Sequence, residues 1–109
     1  MKKAVLIAAL TGLYALPGMA QEVPALLEQK ECMSCHSVDK EMRGPAFQQI
    51  AHKYKGREGA VDMLVNTVTK GSPASGGFHW GTTKMPSPGA RQPVSEDEAK
   101  ELVSWILSL

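Results

Sequence analysis

Two cysteines and a histidine stand together as Cys32-Met33-Ser34-Cys35-His36, and these are the only two cysteines in the 109-residue chain. The C-x-x-C-H spacing is the attachment signature of covalently bound haem. On a turn of helix, residues three apart lie on one face. Two thiols so placed can reach two vinyl groups along one side of a porphyrin and form thioethers. His36, one residue beyond the second thiol, can then bring its imidazole to the iron. Three other chemistries use such residues. A redox-active C-x-x-C expects a βαβ pattern around it, and no strand-rich pattern accompanies this one. A structural zinc site needs about four ligands, whereas His52 and His79 are the only other histidines and are not at a paired spacing. A disulfide between residues three apart closes a tight, strained loop of little value. Haem attachment is the reading the motif supports.

A haem held by one histidine has a second axial position on its other face. The stretch from Gly71 to Pro93 is rich in Gly, Pro and Ser. It is long for a structureless connection, and long ordered loops are usually functional. Within it, Thr83-Lys84-Met85-Pro86-Ser87-Pro88 carries a methionine stiffened by the two prolines after it. A thioether sulfur there completes a Met/His iron, a ligand set that raises the reduction potential. The other methionines fit less well. Met33 is fixed beside the cysteines, Met42 follows His36 too closely to reach the opposite face, and Met63 lies on a regular apolar stripe where core packing is the usual role. His79, near Trp80, is the alternative to Met85, and His52 reads as an exposed helical residue.

The elements that must position these residues are helical. Val23 to Lys30 carries Val23, Leu26 and Leu27 and leads directly into the motif. Ala46 to Tyr54 has Phe47, Ile50, Ala51 and Tyr54 on one stripe, and Ala60 to Val68 repeats the pattern with Ala60, Met63, Leu64, Thr67 and Val68. Gly71 closes that helix in the position of a left-handed cap. Ser95-Glu96-Asp97-Glu98 is a capping box, and the helix after it buries Ala99, Leu102, Val103 and Ile106. Trp105 on this last helix is expected to pack against the first. The fold class is therefore all-α: about four helices wrapped around one covalently bound haem c, which supplies a large apolar body to a chain short of core.

Residues 1–20 read differently. Lys2 and Lys3, an apolar run from Ala4 to Leu16, and Pro17-Gly18-Met19-Ala20 form the pattern of a cleaved secretory signal peptide. The run is short against the roughly 20 residues a bilayer span needs. The mature domain is then 21–109, and its location the periplasm. Loss of Lys2 and Lys3 turns a slightly positive chain slightly negative. No strongly basic face is implied, so nucleic acid is not an expected partner, and no later segment is long and apolar enough for stable membrane insertion.

The chain resembles the small bacterial class I cytochromes c, in particular the cytochrome c-551/c-552 type of respiratory and denitrifying chains. The residues that carry the resemblance are Cys32-Met33-Ser34-Cys35-His36, Lys40-Glu41-Met42-Arg43-Gly44-Pro45-Ala46, Thr69-Lys70-Gly71-Ser72, Trp80-Gly81, Met85-Pro86 and Ser95-Glu96-Asp97-Glu98-Ala99. The resemblance implies Met85 as sixth ligand, Pro45 shaping the hydrogen bond of the His36 ring, and Trp80 near a haem propionate through its indole N–H. It implies a monomeric single-electron carrier and not an enzyme. A quinol-oxidising complex would be its donor, and a terminal oxidase or nitrite reductase its acceptor. The chain departs from the pattern in a longer loop before Trp80, in Lys84 where a proline often precedes the methionine, and in Gly89-Ala90 where an asparagine often stands. The departures bear on how the Met85 sulfur is held. A haem enzyme or gas sensor with an open sixth site would need a distal acid–base pair, for which only His52 and His79 offer themselves. A dedicated subunit of a larger enzyme would use the same fold.

Overall fold

The computed structural model describes residues 23–74 and 83–109; the signal-peptide reading of residues 1–20 lies outside them. Among the described residues are four α-helices and no strand: α1 (Val23–Gln29), α2 (Phe47–Tyr54), α3 (Ala60–Lys70) and α4 (Glu96–Leu107). A 3-10 turn, Cys32–Ser34, lies between α1 and α2.

α4 is the spine, packing against each of the other three helices. Its buried face is the anticipated Ala99, Leu102, Val103 and Ile106. These meet Leu26 and Leu27 of α1, Phe47, Ile50 and Tyr54 of α2, and Ala60 and Val65 of α3. Full burial of such an aliphatic or aromatic side chain contributes about 1.5–3 kcal/mol, which is what fixes these short helices in place. The start of α4 is tied twice. The Ser95 amide donates to Glu98 Oε1 at 3.0 Å, and the Glu98 amide donates to Ser95 Oγ at 3.2 Å. Lys30, just past α1, reaches the same corner, pairing with Glu98 at 3.2 Å and donating to the Pro93 carbonyl at 3.0 Å.

This corner sets a stability prediction. Ser95→Ala removes the acceptor for an otherwise unbonded helix amide and is expected to cost about 0.5–2 kcal/mol, read as a lower guanidinium midpoint of the holoprotein. Glu98 is held below the ordinary carboxylate value first by the Ser95 amide, against partial burial, and then by the Ser95 side chain and Lys30. Its folded pKa is the lower one, so its contribution is complete above the unfolded pKa of about 4.3 and is lost as pH falls through the folded value.

Two local features differ from the expectation. α1 does not run into the motif. It stops at Gln29, and Glu31 turns the chain through the left-handed region (φ 57°, ψ 29°), the way many helices end. The cysteines therefore sit on a separate, tighter turn. On α3, Val65 is the buried residue beside Ala60, whereas Met63, Leu64 and Val68 are half-buried. The stripe Met63–Thr67 turns partly away from the core, toward a cavity on the Met85 side of the molecule.

Candidate haem-binding site

The 3-10 turn starts on the carbonyl of Glu31, which accepts from the Ser34 amide at 3.2 Å and from Ser34 Oγ at 2.7 Å. Cys32 opens this turn, and Cys35 follows its last residue, leaving the 3-10 geometry at φ −121°. Both are half-buried free thiols. Burial pushes the Cys32 thiol up, opposed most by the charge of Arg91. The Cys32 carbonyl accepts the amides of Cys35 and His36 at 3.3 and 3.1 Å, so the histidine leaves the turn at a fixed angle.

The segment from Ser37 to Phe47 fixes the His36 ring. α2 begins at Phe47 without a polar cap. Its first free amides, Phe47 and Gln48, donate instead to the carbonyls of Ser37 and Val38 at 2.9 and 3.0 Å, while Gln49 Oε1 accepts from the Ala46 amide. The helix is thus docked end-on to the residues after His36, and Phe47 stacks on the imidazole (5.1 Å between centroids, 20° between planes). Gly44 passes so close that a Cβ there would lie 2.7 Å from His36 Cε1. His36 Nδ1 is 2.7 Å from the Pro45 carbonyl oxygen. A carbonyl only accepts, so Nδ1 carries the proton and Nε2 keeps its lone pair. Burial also lowers the pKa of the ring, outweighing the Pro45 bond, which favours neutral imidazole, the form that binds a metal.

Met85 is held at the C-terminal end of α3. Its amide donates to Ser72 Oγ at 2.8 Å, and its carbonyl accepts from the Ser72 amide at 2.9 Å. Gly71 has the positive φ of the expected cap (86°), but with ψ 177° it is not a left-handed cap. Contact explains it: a Cβ on Gly71 would lie 2.8 Å from Ser87 N and 2.9 Å from the Pro86 carbonyl carbon. The glycine lets the 85–87 backbone lie against the end of α3. Between that backbone and α3 is a cavity of about 850 Å³, walled by Met63, Asn66, Thr67 and Lys70 on one side and Lys84 to Ser87 on the other. It is of cofactor size. Its walls do not include Cys32, Cys35 or His36. The two halves are related through Arg91, whose charge acts at Cys32 and whose guanidinium bonds the Pro86 and Val68 carbonyls. Two half-buried thiols, an imidazole with a fixed lone pair, and a half-buried thioether beside a cavity are donors of the kinds that fit a covalently held haem.

Trp80 and His79 lie outside the described residues. Met33 and Met42 are exposed, as is His52. Met63, read as core packing, is half-buried and lines the cavity as well as touching the core. Trp105 shows its ring contact with Phe47, edge-on at 5.8 Å and 82°, so histidine, phenylalanine and tryptophan form a continuous row from the site to α4. Ser72 and Arg91 are site residues that the sequence reading does not single out. Ser72 belongs to a segment that carries the resemblance; Arg91 has no local signal.

Residues 20–109 match the cytochrome c family model, and the chain belongs to the cytochrome c family. It is a small helical monohaem electron carrier with one covalently bound haem c, as that family defines. Among its relatives, cytochrome c-551 of Stutzerimonas stutzeri is 44% identical over 102 residues, covering 93% of this chain and 90% of that one. Cytochrome c-552 of Hydrogenobacter thermophilus is 39% identical over 109 residues, covering 100% and 99%. The crystal structure of wild-type Nitrosomonas europaea cytochrome c552 superposes with a TM-score of 0.67 at 34% identity, covering 79% of this chain and 98% of that one.

Proposed function

We propose that Cys32 and Cys35 would hold the haem through thioethers, that His36 Nε2 and the Met85 sulfur would ligate its iron, and that the protein carries single electrons between respiratory or denitrification partners in the periplasm. The single observation that supports this most is the His36 Nδ1–H bond to the Pro45 carbonyl. It fixes the tautomer and ring plane and makes Nε2 the more basic nitrogen, the usual second-sphere support of a ligating histidine. When bound, the haem supplies a one-electron couple at its iron. The chain supplies rigidity: a ring clamped by Gly44, Pro45 and Phe47, and a methionine whose backbone is bonded on both sides by Ser72. Groups that do not move between the two oxidation states keep the reorganisation small.

Trp80 is assigned to a haem propionate on the strength of the resemblance. Residues 1–20 are assigned to a cleaved export signal on their charge and apolar pattern, and 21–109 to the mature domain. A quinol-oxidising complex fits as donor, with a terminal oxidase or nitrite reductase as acceptor, because the relatives are of the c-551 and c-552 type. The test is a redox titration of the purified periplasmic fraction, followed by exposure of the ferrous protein to carbon monoxide. One Nernstian one-electron step and no carbon monoxide adduct are expected. Rapid adduct formation by the native protein would instead identify an open sixth site and a haem enzyme or sensor.

A further inference from the structure

We propose that Arg91 is a positioning residue for the Met85 side of the haem site and that its charge, which no carboxylate among the described residues pairs, raises the reduction potential. The proposal rests on Met85 as iron ligand. Arg91 Nε donates to the Pro86 carbonyl at 2.5 Å, one residue past Met85, and Nη2 donates to the Val68 carbonyl at 2.5 Å, in the last turn of α3. Nη1 reaches the Gln92 carbonyl at 3.3 Å. One planar fork thus bolts the methionine segment to the helix that walls the cavity, using a helix-end carbonyl that has no partner within the helix. Ser72 holds Met85 itself; Arg91 holds the turn after it, which is otherwise built from prolines and exposed.

The charge matters separately. All three donors go to neutral carbonyls, and among the described residues the ion pairs are Lys30–Glu98 and Lys100–Glu96, neither involving Arg91. The side chain is half-buried, so solvent screens it incompletely. It is bonded beside Met85, on the carbonyls of Pro86 and Val68. A fixed positive charge there disfavours the iron state with one more positive charge, and the ferrous form gains. Lysine would keep the charge but lacks the rigid fork needed to span two carbonyls.

The test uses holoprotein of wild type, Arg91→Gln, Arg91→Lys and Met85→Ala. It reads the midpoint potential and the rate at which imidazole displaces the sixth ligand of the ferric form. Arg91→Gln is expected to lower the midpoint and to speed imidazole entry by about tenfold, the order for losing one charge-assisted hydrogen bond. Arg91→Lys is expected to keep the midpoint and speed entry. Reduced thermal stability with native midpoint and native entry rate in Arg91→Gln would mean a merely structural role and overturn the proposal. If Arg91→Gln yields no holoprotein, Arg91→Lys decides alone, and a native entry rate there overturns it. Met85→Ala separates the two readings: an opened iron in that variant, with native Arg91 variants, sinks only the role of Arg91, whereas a native spectrum in Met85→Ala removes the ligand assignment itself.

Discussion

Met85→Ala is expected to leave the haem attached and open the iron. The thioether and histidine attachments proposed for Cys32, Cys35 and His36 are on another part of the chain, so the haem should remain covalently bound. The loop should also remain, because both Ser72 hydrogen bonds go to the Met85 backbone and not to its side chain. What is lost is the sulfur. The ferric and ferrous forms should then take up azide and carbon monoxide readily. The midpoint should fall by at least the ~59 mV that shifts a one-electron ratio tenfold, since a thioether ligand favours the ferrous state. Met63→Ala is the matched control: it removes another methionine from the same cavity wall. Met63 is half-buried, so its loss should cost less than the ~2–5 kcal/mol of a fully buried site and leave the spectrum unchanged. A native spectrum and midpoint in Met85→Ala would refute the assignment and make His79 the ligand to examine.

Removing both thiols, Cys32→Ala with Cys35→Ala, should abolish covalent haem, read as loss of the haem stain after denaturing electrophoresis. The polypeptide left behind should lack a cooperative unfolding transition. Its helices are 7 to 12 residues long, lengths at which isolated helices are marginal in water. α3 turns Met63 and Thr67 toward a cavity, with one large side chain, Val65, fully in the core. A chain of this size has little stability in reserve, so the cofactor is a structural component of the domain. A stain that survives in the double variant would overturn the attachment reading.

Much of the frame is legible in the sequence because it is local. The stripes of α2 and α4 repeat at helical spacing, and Ser95 and Glu98 stand three apart, so those faces and that cap come from neighbours along the chain. The motif carries its chemistry in five consecutive residues. The features that are not legible depend on residues far apart. The positive φ of Gly71 suits a cap, but its backbone is set by the approach of Pro86 and Ser87. Glu31 breaks α1 from the motif although glutamate is an ordinary helix former. Val65 is buried off the expected stripe because α3 divides its surface between core and cavity. Trp105 packs against the core, and its edge-on contact with Phe47 is a further long-range feature that no neighbour along the chain signals. Arg91 is a lone arginine in a Pro- and Gly-rich stretch, and only the folded chain brings the Val68 carbonyl to it.

The paired bonds between Ser72 and Met85 bear on how such chains diverge. They close a loop at its neck, with twelve residues between the two anchors. The entropy of loop closure grows slowly, by only about 0.6 kcal/mol for each doubling of the number of residues enclosed. Residues can therefore be inserted or deleted beyond the neck without moving the methionine backbone. Sequence drift in this segment is decoupled from the backbone of Met85, the residue we propose as iron ligand. Length changes between Met85 and Arg91 have no such shelter, since every residue there lies inside the span that Arg91 braces.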